Sequence, residues 1–172
     1  SRDEAANDMI WQFVMTKAIA IALNPITAAD IIAGAAIDLG MIIRLSKFYG
    51  IPMTRSGAMK LLQSIAMGMG GLTISELAAN LGLSGIKSLF AILAPATGGV
   101  SIAPYTAVAL TQASIAGVST YAIGQVTKTY LAKGASWGDD SPKSVITRIL
   151  ATIDEHSIVD RIKQELGTKG NS

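Results

Sequence analysis

The hydrophobic pattern is dominated by one long stretch, Ser88 to Thr127, which contains no charged residue. A soluble domain of ordinary composition carries roughly a quarter charged residues, whereas 15% of this chain is charged and 50% is hydrophobic. Forty consecutive uncharged residues therefore predict that a large part of the chain lies out of water. The pattern fits either the core of a helical bundle or a lipid phase.

Signals for helix starts recur along the chain. They are a Ser or Thr cap, in several cases with an acidic residue three positions later, or a Pro at a first helical position. These signals stand at Ser1, Thr27, Thr54, Thr73, Ser84, Pro104, Ser141 and Ser157. Gly or Pro residues that end helices stand at Pro25, Gly50, Gly68, Gly82 and Pro95. Only residues 99–103 fit an extended segment. The sequence therefore predicts an all-α fold, a multi-helix bundle with hydrophobic helical hairpins and an amphipathic C-terminal tail.

The two ends of the chain differ in their polar faces. Residues 145–153 and 158–166 each show one apolar stripe with charged residues on the remaining faces, as helices in contact with water require. We therefore divide the chain into a hydrophobic helical body, residues 1–134, and a linker with an amphipathic helical tail, residues 135–172. The two parts are expected to form one domain. The tail either packs back on the body or holds a partner.

Isolated charges within the body are candidates for buried ion pairs. A helix that spans a bilayer needs about 20 mostly apolar residues, and a charge at the bilayer centre costs about 3 kcal/mol. Asp30 and Asp38 interrupt the second helix, and Lys17 or Arg44 could neutralise them in a packed bundle. Membrane insertion and a bundle in water both stay open on this pattern.

One face of the long helix predicted after Pro104 consists of small residues. Its members recur at spacings of 4, 4, 3 and 4: Ala109, Ala113, Gly117, Thr120 and Gly124. Small residues let helix backbones approach closely, which is the usual basis of helix association in membranes. A neighbouring helix of the same bundle would fill the groove equally well, so this candidate helix-packing face does not decide between the two settings.

Glycine pairs mark two predicted helix breaks and are candidate hinges: Gly70, Gly71, Gly98 and Gly99. The first pair closes the run Met67-Gly-Met-Gly-Gly. This run lacks the Lys and Ser or Thr with which a phosphate-binding loop holds phosphates and Mg²⁺, and a helix break is the better interpretation.

Residues that support catalysis are sparse. The chain has no Cys, and its single histidine, His156, fits a capping or solvated role. No set of carboxylates and imidazoles has the spacing of a metal site. A net charge of +2, without a basic patch interleaved with aromatic residues, argues against nucleic acid as a partner. We therefore expect no enzyme activity, cofactor or metal in this chain.

Residues 17–54 carry a distinctive set of features: Asn24-Pro25, Asp30, Asp38 and Tyr49-Gly50. As a set they resemble the GTPase-associated helical domains of the DUF697 family. The block from Ala94 to Gly138 looks like the form found in cyanobacterial and plastid members. The resemblance implies a C-terminal domain, often expected to be embedded in a membrane, that follows a small Era-like GTPase domain.

Two functions follow from these patterns. The first is a non-catalytic, membrane-associated helical domain of a GTPase-linked protein, which serves membrane attachment, assembly or transmission of the nucleotide state. Its partners would be membrane lipid, a GTPase domain of the same or another chain, and a second copy. Its location would be a plasma or thylakoid-type membrane. Any GTPase activity would lie in an N-terminal domain outside this sequence. The alternative is a soluble helical bundle that binds a partner or an apolar ligand.

Overall fold

The computed structural model describes the backbone of residues 1–23, 28–69 and 107–170, and their side chains apart from residues 28–34, 107–108 and 168–170. Six helices run through these ranges: α1 (Arg2–Leu23), α2 (Ala28–Phe48), α3 (Arg55–Gly68), α4 (Ala107–Ala132), α5 (Pro142–Ala151) and α6 (Glu155–Gly170). The described ranges contain no strand, and the predicted all-α bundle is confirmed. The helix starts predicted at Thr27, Thr73, Ser84 and Pro104 lie outside the described residues.

Three of the predicted N-terminal caps are confirmed by their hydrogen bonds. Ser1 Oγ accepts from the backbone N–H of Glu4 at 3.3 Å, and the Glu4 carboxylate accepts from the Ser1 amino group at 3.3 Å. Thr54 Oγ1 accepts from the N–H of Gly57 at 3.0 Å. Ser141 Oγ accepts from Ser144 at 3.2 Å. Each bond satisfies a backbone donor that the first helical turn leaves unpaired.

The end of α2 shows the predicted glycine stop. Gly50 has a φ of 73°, a left-handed conformation that glycine adopts without a steric cost. Its N–H donates to the carbonyl of Lys47 at 3.0 Å, and the N–H of Ile51 donates to the carbonyl of Ser46 at 2.9 Å. This pair of bonds is the Schellman arrangement, and it turns the chain sharply from α2 toward α3.

The start of α6 differs from the sequence prediction. The helix begins at Glu155, and Asp154, not Ser157, is its N-cap residue. The Asp154 carboxylate accepts from the backbone N–H of Ser157 at 3.3 Å and from its hydroxyl at 2.8 Å. These hydrogen bonds hold the pKa of Asp154 below its usual value.

Helix α4 is the central element of the described structure. It contacts each of the other five described helices, and every residue from 109 to 131 is buried or half-buried. The part of the uncharged stretch whose side chains the structure describes therefore lies against other helices along its whole length, and its half-buried positions include Gln112, Ile115, Tyr121 and Gln125. Its lack of charge follows from this position, because an unpaired charge there would lose its hydration.

The amphipathic tail packs back on the body. Helix α5 lies against α3 and α4, and α6 lies against α4 and α1. Their apolar stripes enter the common core through Ile146, Val159, Ile162 and Leu166, whose side chains have no solvent exposure. Of the two roles expected for the tail, docking on the body is the one that the structure shows.

Candidate functional site

A buried polar cluster joins α1, α2 and α4. It consists of Lys17, Asp38 and Thr120, one residue from each helix, and these are only 2%, 6% and 0% exposed. The Lys17 amino group donates to the two Asp38 carboxylate oxygens at 3.0 and 2.9 Å and to the Thr120 hydroxyl oxygen at 3.1 Å. The Thr120 hydroxyl in turn donates to Oδ1 of Asp38 at 2.8 Å. We call these three residues the polar cluster.

The hydrogen-bonding capacity of the polar cluster is almost fully used. A lysine ammonium group has three N–H donors, and each of them has an acceptor here. The Thr120 hydroxyl acts once as acceptor and once as donor. Complete pairing of this kind is what makes buried charge tolerable. Through these hydrogen bonds the polar cluster connects α1, α2 and α4.

The short connection between α1 and α2 explains how Lys17 reaches Asp38. Only four residues separate the two helices, so they form an antiparallel hairpin in which residue 17 faces residue 38. Thr120 comes from α4, 82 positions beyond Asp38. Its hydroxyl completes the cluster, a role that the small-residue pattern alone did not indicate.

Of the other two candidates for buried ion pairs, the structure describes the side chain of Arg44 alone, and Arg44 does not join the polar cluster. Arg44 is exposed on α2, so its predicted place in a buried pair is wrong. It lies six residues after Asp38, about 240° around the helix, and therefore points away from the hairpin partner. The side chain of Asp30 lies outside the described residues, as do the candidate hinges Gly70, Gly71, Gly98 and Gly99.

The small-residue face of α4 is occupied within the chain. Its residues are all buried: Ala109, Ala113, Gly117, Thr120 and Gly124. A Cβ at position 124 would lie 2.6 Å from Cγ2 of Ile10 in α1, and one at position 117 would collide with Ile162 of α6. The glycines therefore allow α1 and α6 to approach α4 closely, as the bundle interpretation of this face required.

A second cluster, missed from the sequence, joins α1 to α6. The indole N–H of Trp11 donates to Oε1 of Glu165 at 2.8 Å. The guanidinium of Arg161 lies over the Trp11 ring, 3.9 Å from its centroid, and its Nε is 3.6 Å from the same carboxylate oxygen. A buried indole usually needs an acceptor for its N–H, so the sequence indicated that Trp11 has a hydrogen-bond partner. It did not indicate which residue, because Glu165 is 154 positions away.

A third set of polar contacts joins the start of α1 to the end of α4. Lys128, the first charge after the uncharged stretch, lies 2.8 Å from Asp3 and donates to the Asn7 side chain at 2.9 Å. Gln125 donates to the same Asn7 oxygen at 3.0 Å. The hydrogen bond and the charge of Lys128 hold the pKa of Asp3 below its usual value. The contacts fix the relative register of α1 and α4 at this end.

The aromatic residues after α4 also pack inward. The rings of Tyr130 and Trp137 lie 4.7 Å apart, and both are half-buried against the core. The chain reaches this contact through a turn in which Gly134 has a φ of 76°, and Gly138, directly after Trp137, has the same φ. The ring of Trp137 thus covers the end of α4 where the tail begins.

The described residues show neither a metal site nor a helix suited to crossing a bilayer. No group of three or more His, Cys, Asp or Glu side chains among them could hold a metal ion. None of the helices in the described ranges combines the length and the apolar character that a bilayer crossing requires.

The chain is similar to several proteins that are named as membrane proteins. It is 34% identical over 128 residues to magnetosome membrane protein 22 of Magnetospirillum gryphiswaldense, which is 73% of this chain and 56% of that protein. It is 32% identical over 82 residues to a UPF0283 membrane protein of Vibrio parahaemolyticus, which is 48% of this chain and 24% of the relative. A UPF0283 membrane protein of Vibrio campbellii is 34% identical over 77 residues, 45% of this chain and 22% of the relative.

The chain spans less than two thirds of the length of these curated relatives. No solved structure matches it. A family model described as "Domain of unknown function (DUF697)" matches residues 1–155. Since the match covers all but the last 17 of the 172 residues, the chain belongs to the DUF697 family.

Proposed function

We propose that this chain is a non-catalytic helical domain that attaches a GTPase-linked protein to a membrane. The observation that carries the proposal is the similarity to magnetosome membrane protein 22 over 73% of the chain. The shorter similarities to UPF0283 membrane proteins point to the same setting. The polar cluster agrees with a non-catalytic role, because its three residues are buried and bonded to one another.

In a GTPase-linked protein the packed helices would have a mechanical role. Contacts between α1, α2, α4 and α6, made by the polar cluster and by Trp11 with Glu165, hold these helices in one arrangement. A body held in this way would move as a unit when a GTPase domain, in the same or another chain, changes its nucleotide state. Assembly with a second copy and a location at a plasma or thylakoid-type membrane belong to the same proposal, as does a hinge role for the two glycine pairs.

The alternative is a helical bundle in water that binds a partner or an apolar ligand. The observation in its favour is the small-residue face of α4, which is covered by α1 and α6 of the same chain. A face used in this way contributes to the core, and it is not free to associate with helices of other molecules in a bilayer.

The experiment that tests membrane attachment is fractionation of cells that express the chain, followed by salt, carbonate and detergent washes of the membrane pellet. The proposal expects the folded chain in the pellet, and the washes report how it is held there. Release by salt or carbonate indicates attachment at the lipid surface, and release by detergent alone indicates insertion. Recovery of the folded chain in the fraction without membranes contradicts the proposal and favours the alternative.

A further inference from the structure

The exposed charges of residues 35–69 are all positive. They are Arg44 and Lys47 on α2 and Arg55 and Lys60 on α3. None of the four forms an ion pair with a described residue. The one acidic residue in this range is Asp38, which is buried against Lys17. The other acidic residues whose side chains the structure describes lie on α1, on α6 and in the two connections that precede α5 and α6.

Helix α3 has an outward half that is both basic and apolar. At about 100° per residue, its exposed positions fall within one half of the helix: Arg55, Ser56, Met59, Lys60, Gln63, Ser64 and Met67. The buried positions Ala58, Leu61 and Ile65 centre on the opposite half. Met67 is 76% exposed and Met59 is 37% exposed, and these are two of the three large hydrophobic residues exposed in the described structure.

This combination matches the chemistry of a lipid interface. A helix that lies on a membrane presents Lys or Arg to the phosphate groups and inserts apolar side chains among the acyl chains. Methionine is flexible enough to adapt to such a surface. Four exposed cations that form no ion pair with a described residue complement a bilayer that carries anionic lipid. The small-residue face does not provide such a surface, because its five residues are buried within the chain.

We infer that the outward half of α3, together with Arg44 and Lys47 of α2, binds the surface of a bilayer that contains anionic lipid. We call these residues the cationic surface. The inference rests on the proposed function, since it names the side chains and the lipid class through which attachment occurs. The chain then lies on the membrane through α3, while α4 remains the centre of the protein core.

The test is co-sedimentation of the purified, folded chain with two kinds of vesicle. One kind is pure phosphatidylcholine, and the other also contains phosphatidylserine. Binding is expected to the second kind, and it should weaken as salt screens the charges. Each basic residue near an anionic surface contributes about fivefold to partitioning. The variant Arg55→Gln/Lys60→Gln should therefore bind about 30-fold more weakly.

Two further variants separate a specific surface from overall charge. Lys133→Gln/Lys143→Gln removes the same charge from exposed positions outside the cationic surface, and it should bind like the unaltered chain. Met59→Gln/Met67→Gln keeps the charge and should bind about tenfold more weakly, because apolar burial in the interface is lost. All six residues substituted in these three variants are exposed. Circular dichroism should therefore show an unchanged fold for each variant.

The outcomes distinguish this inference from the proposed function. Equal binding to both kinds of vesicle, or equal losses in the two charge variants, overturns the cationic surface and leaves membrane attachment intact. Failure of the folded chain to bind either vesicle also overturns it, and cell fractionation then decides the proposed function separately. A third outcome is that neither the unaltered chain nor the Arg55→Gln/Lys60→Gln variant binds vesicles, while membranes from cells retain the unaltered chain and lose the variant. In that case a membrane protein partner, and not lipid, occupies this surface.

Discussion

Removing either charge of the polar cluster should destabilise the fold severely, whereas removing the whole cluster should not. Among the described residues, Lys17→Met leaves the buried Asp38 carboxylate with Thr120 as its one remaining partner, and Asp38→Leu leaves the buried Lys17 ammonium group beside a single hydroxyl. Loss of one partner from a buried ion pair costs about 3–5 kcal/mol. A domain has a free energy of unfolding of about 5–15 kcal/mol, so either change removes a large part of it.

The apolar triple variant Lys17→Met/Asp38→Leu/Thr120→Val provides the comparison. Well-packed hydrophobic residues in place of a buried ionic network often leave stability unchanged or raise it. We therefore expect the triple variant to be more stable than either charged single variant. Thr120→Val alone, which removes one acceptor from Lys17 and one donor from Asp38, should cost about 1–3 kcal/mol.

The assay is urea unfolding followed by far-UV circular dichroism, with linear extrapolation to water. Lys60→Met is the matched control, because Lys60 is exposed on α3, and it should change stability by less than about 0.5 kcal/mol. The reasoning is refuted if Lys17→Met costs no more than this control. It is also refuted if the loss in the triple variant equals the sum of the three single losses, since the residues would then be independent.

Three further predictions test the contacts around the polar cluster. Gly124→Leu should destabilise the fold by about 1–3 kcal/mol through overlap with Ile10 and leave the oligomeric state unchanged. Ala132→Leu at the exposed end of α4 should change neither the stability nor the oligomeric state. A stable Gly124→Leu variant of altered size in light scattering would instead assign this glycine to assembly. Trp11→Phe should cost about 1–2 kcal/mol by removing the N–H bonded to Glu165, and a urea midpoint equal to the unaltered chain would contradict that bond. The pKa of Asp154 is lowered from 3.8 by its hydrogen bonds to Ser157. The contribution of Asp154 to the free energy of unfolding is therefore present above its pKa in the unfolded chain and is lost as the pH falls through its pKa in the folded chain. Asp154→Asn, which cannot titrate, should flatten that acid limb of the unfolding midpoint, and an unchanged pH profile would rule out the contribution.

The elements of this fold that could be predicted from the sequence depend on local hydrogen bonds. The caps at Ser1, Thr54 and Ser141 each reach an N–H three residues away, and Gly50 ends α2 through bonds to the preceding turn. The residues involved are close in sequence, so their types alone indicate the structure. The start of α6 was predicted wrongly because Asp154 and Ser157 can both cap a helix, and the pattern does not rank them.

The contacts that hold the helices together required the structure. The sequence showed that a buried acid in α2 needs a basic partner, but the choice between Lys17 and Arg44 depends on which face of α2 meets α1. The hydroxyl of Thr120 and the carboxylate of Glu165 reach their partners over 103 and 154 positions. Tertiary packing sets such separations, and the period of a helix does not encode them. The cationic surface could not be predicted from the sequence either, because it depends on which charged side chains form ion pairs and which stay exposed.

Direct binding of the folded chain to lipid is the central claim, and flotation with vesicles that contain anionic lipid tests it most directly. The chain is mixed with vesicles beneath a density gradient, and its position is measured after centrifugation. The account predicts that the chain rises with the vesicles and remains below when high salt is present. A folded chain that stays at the bottom of the gradient at low salt would contradict it.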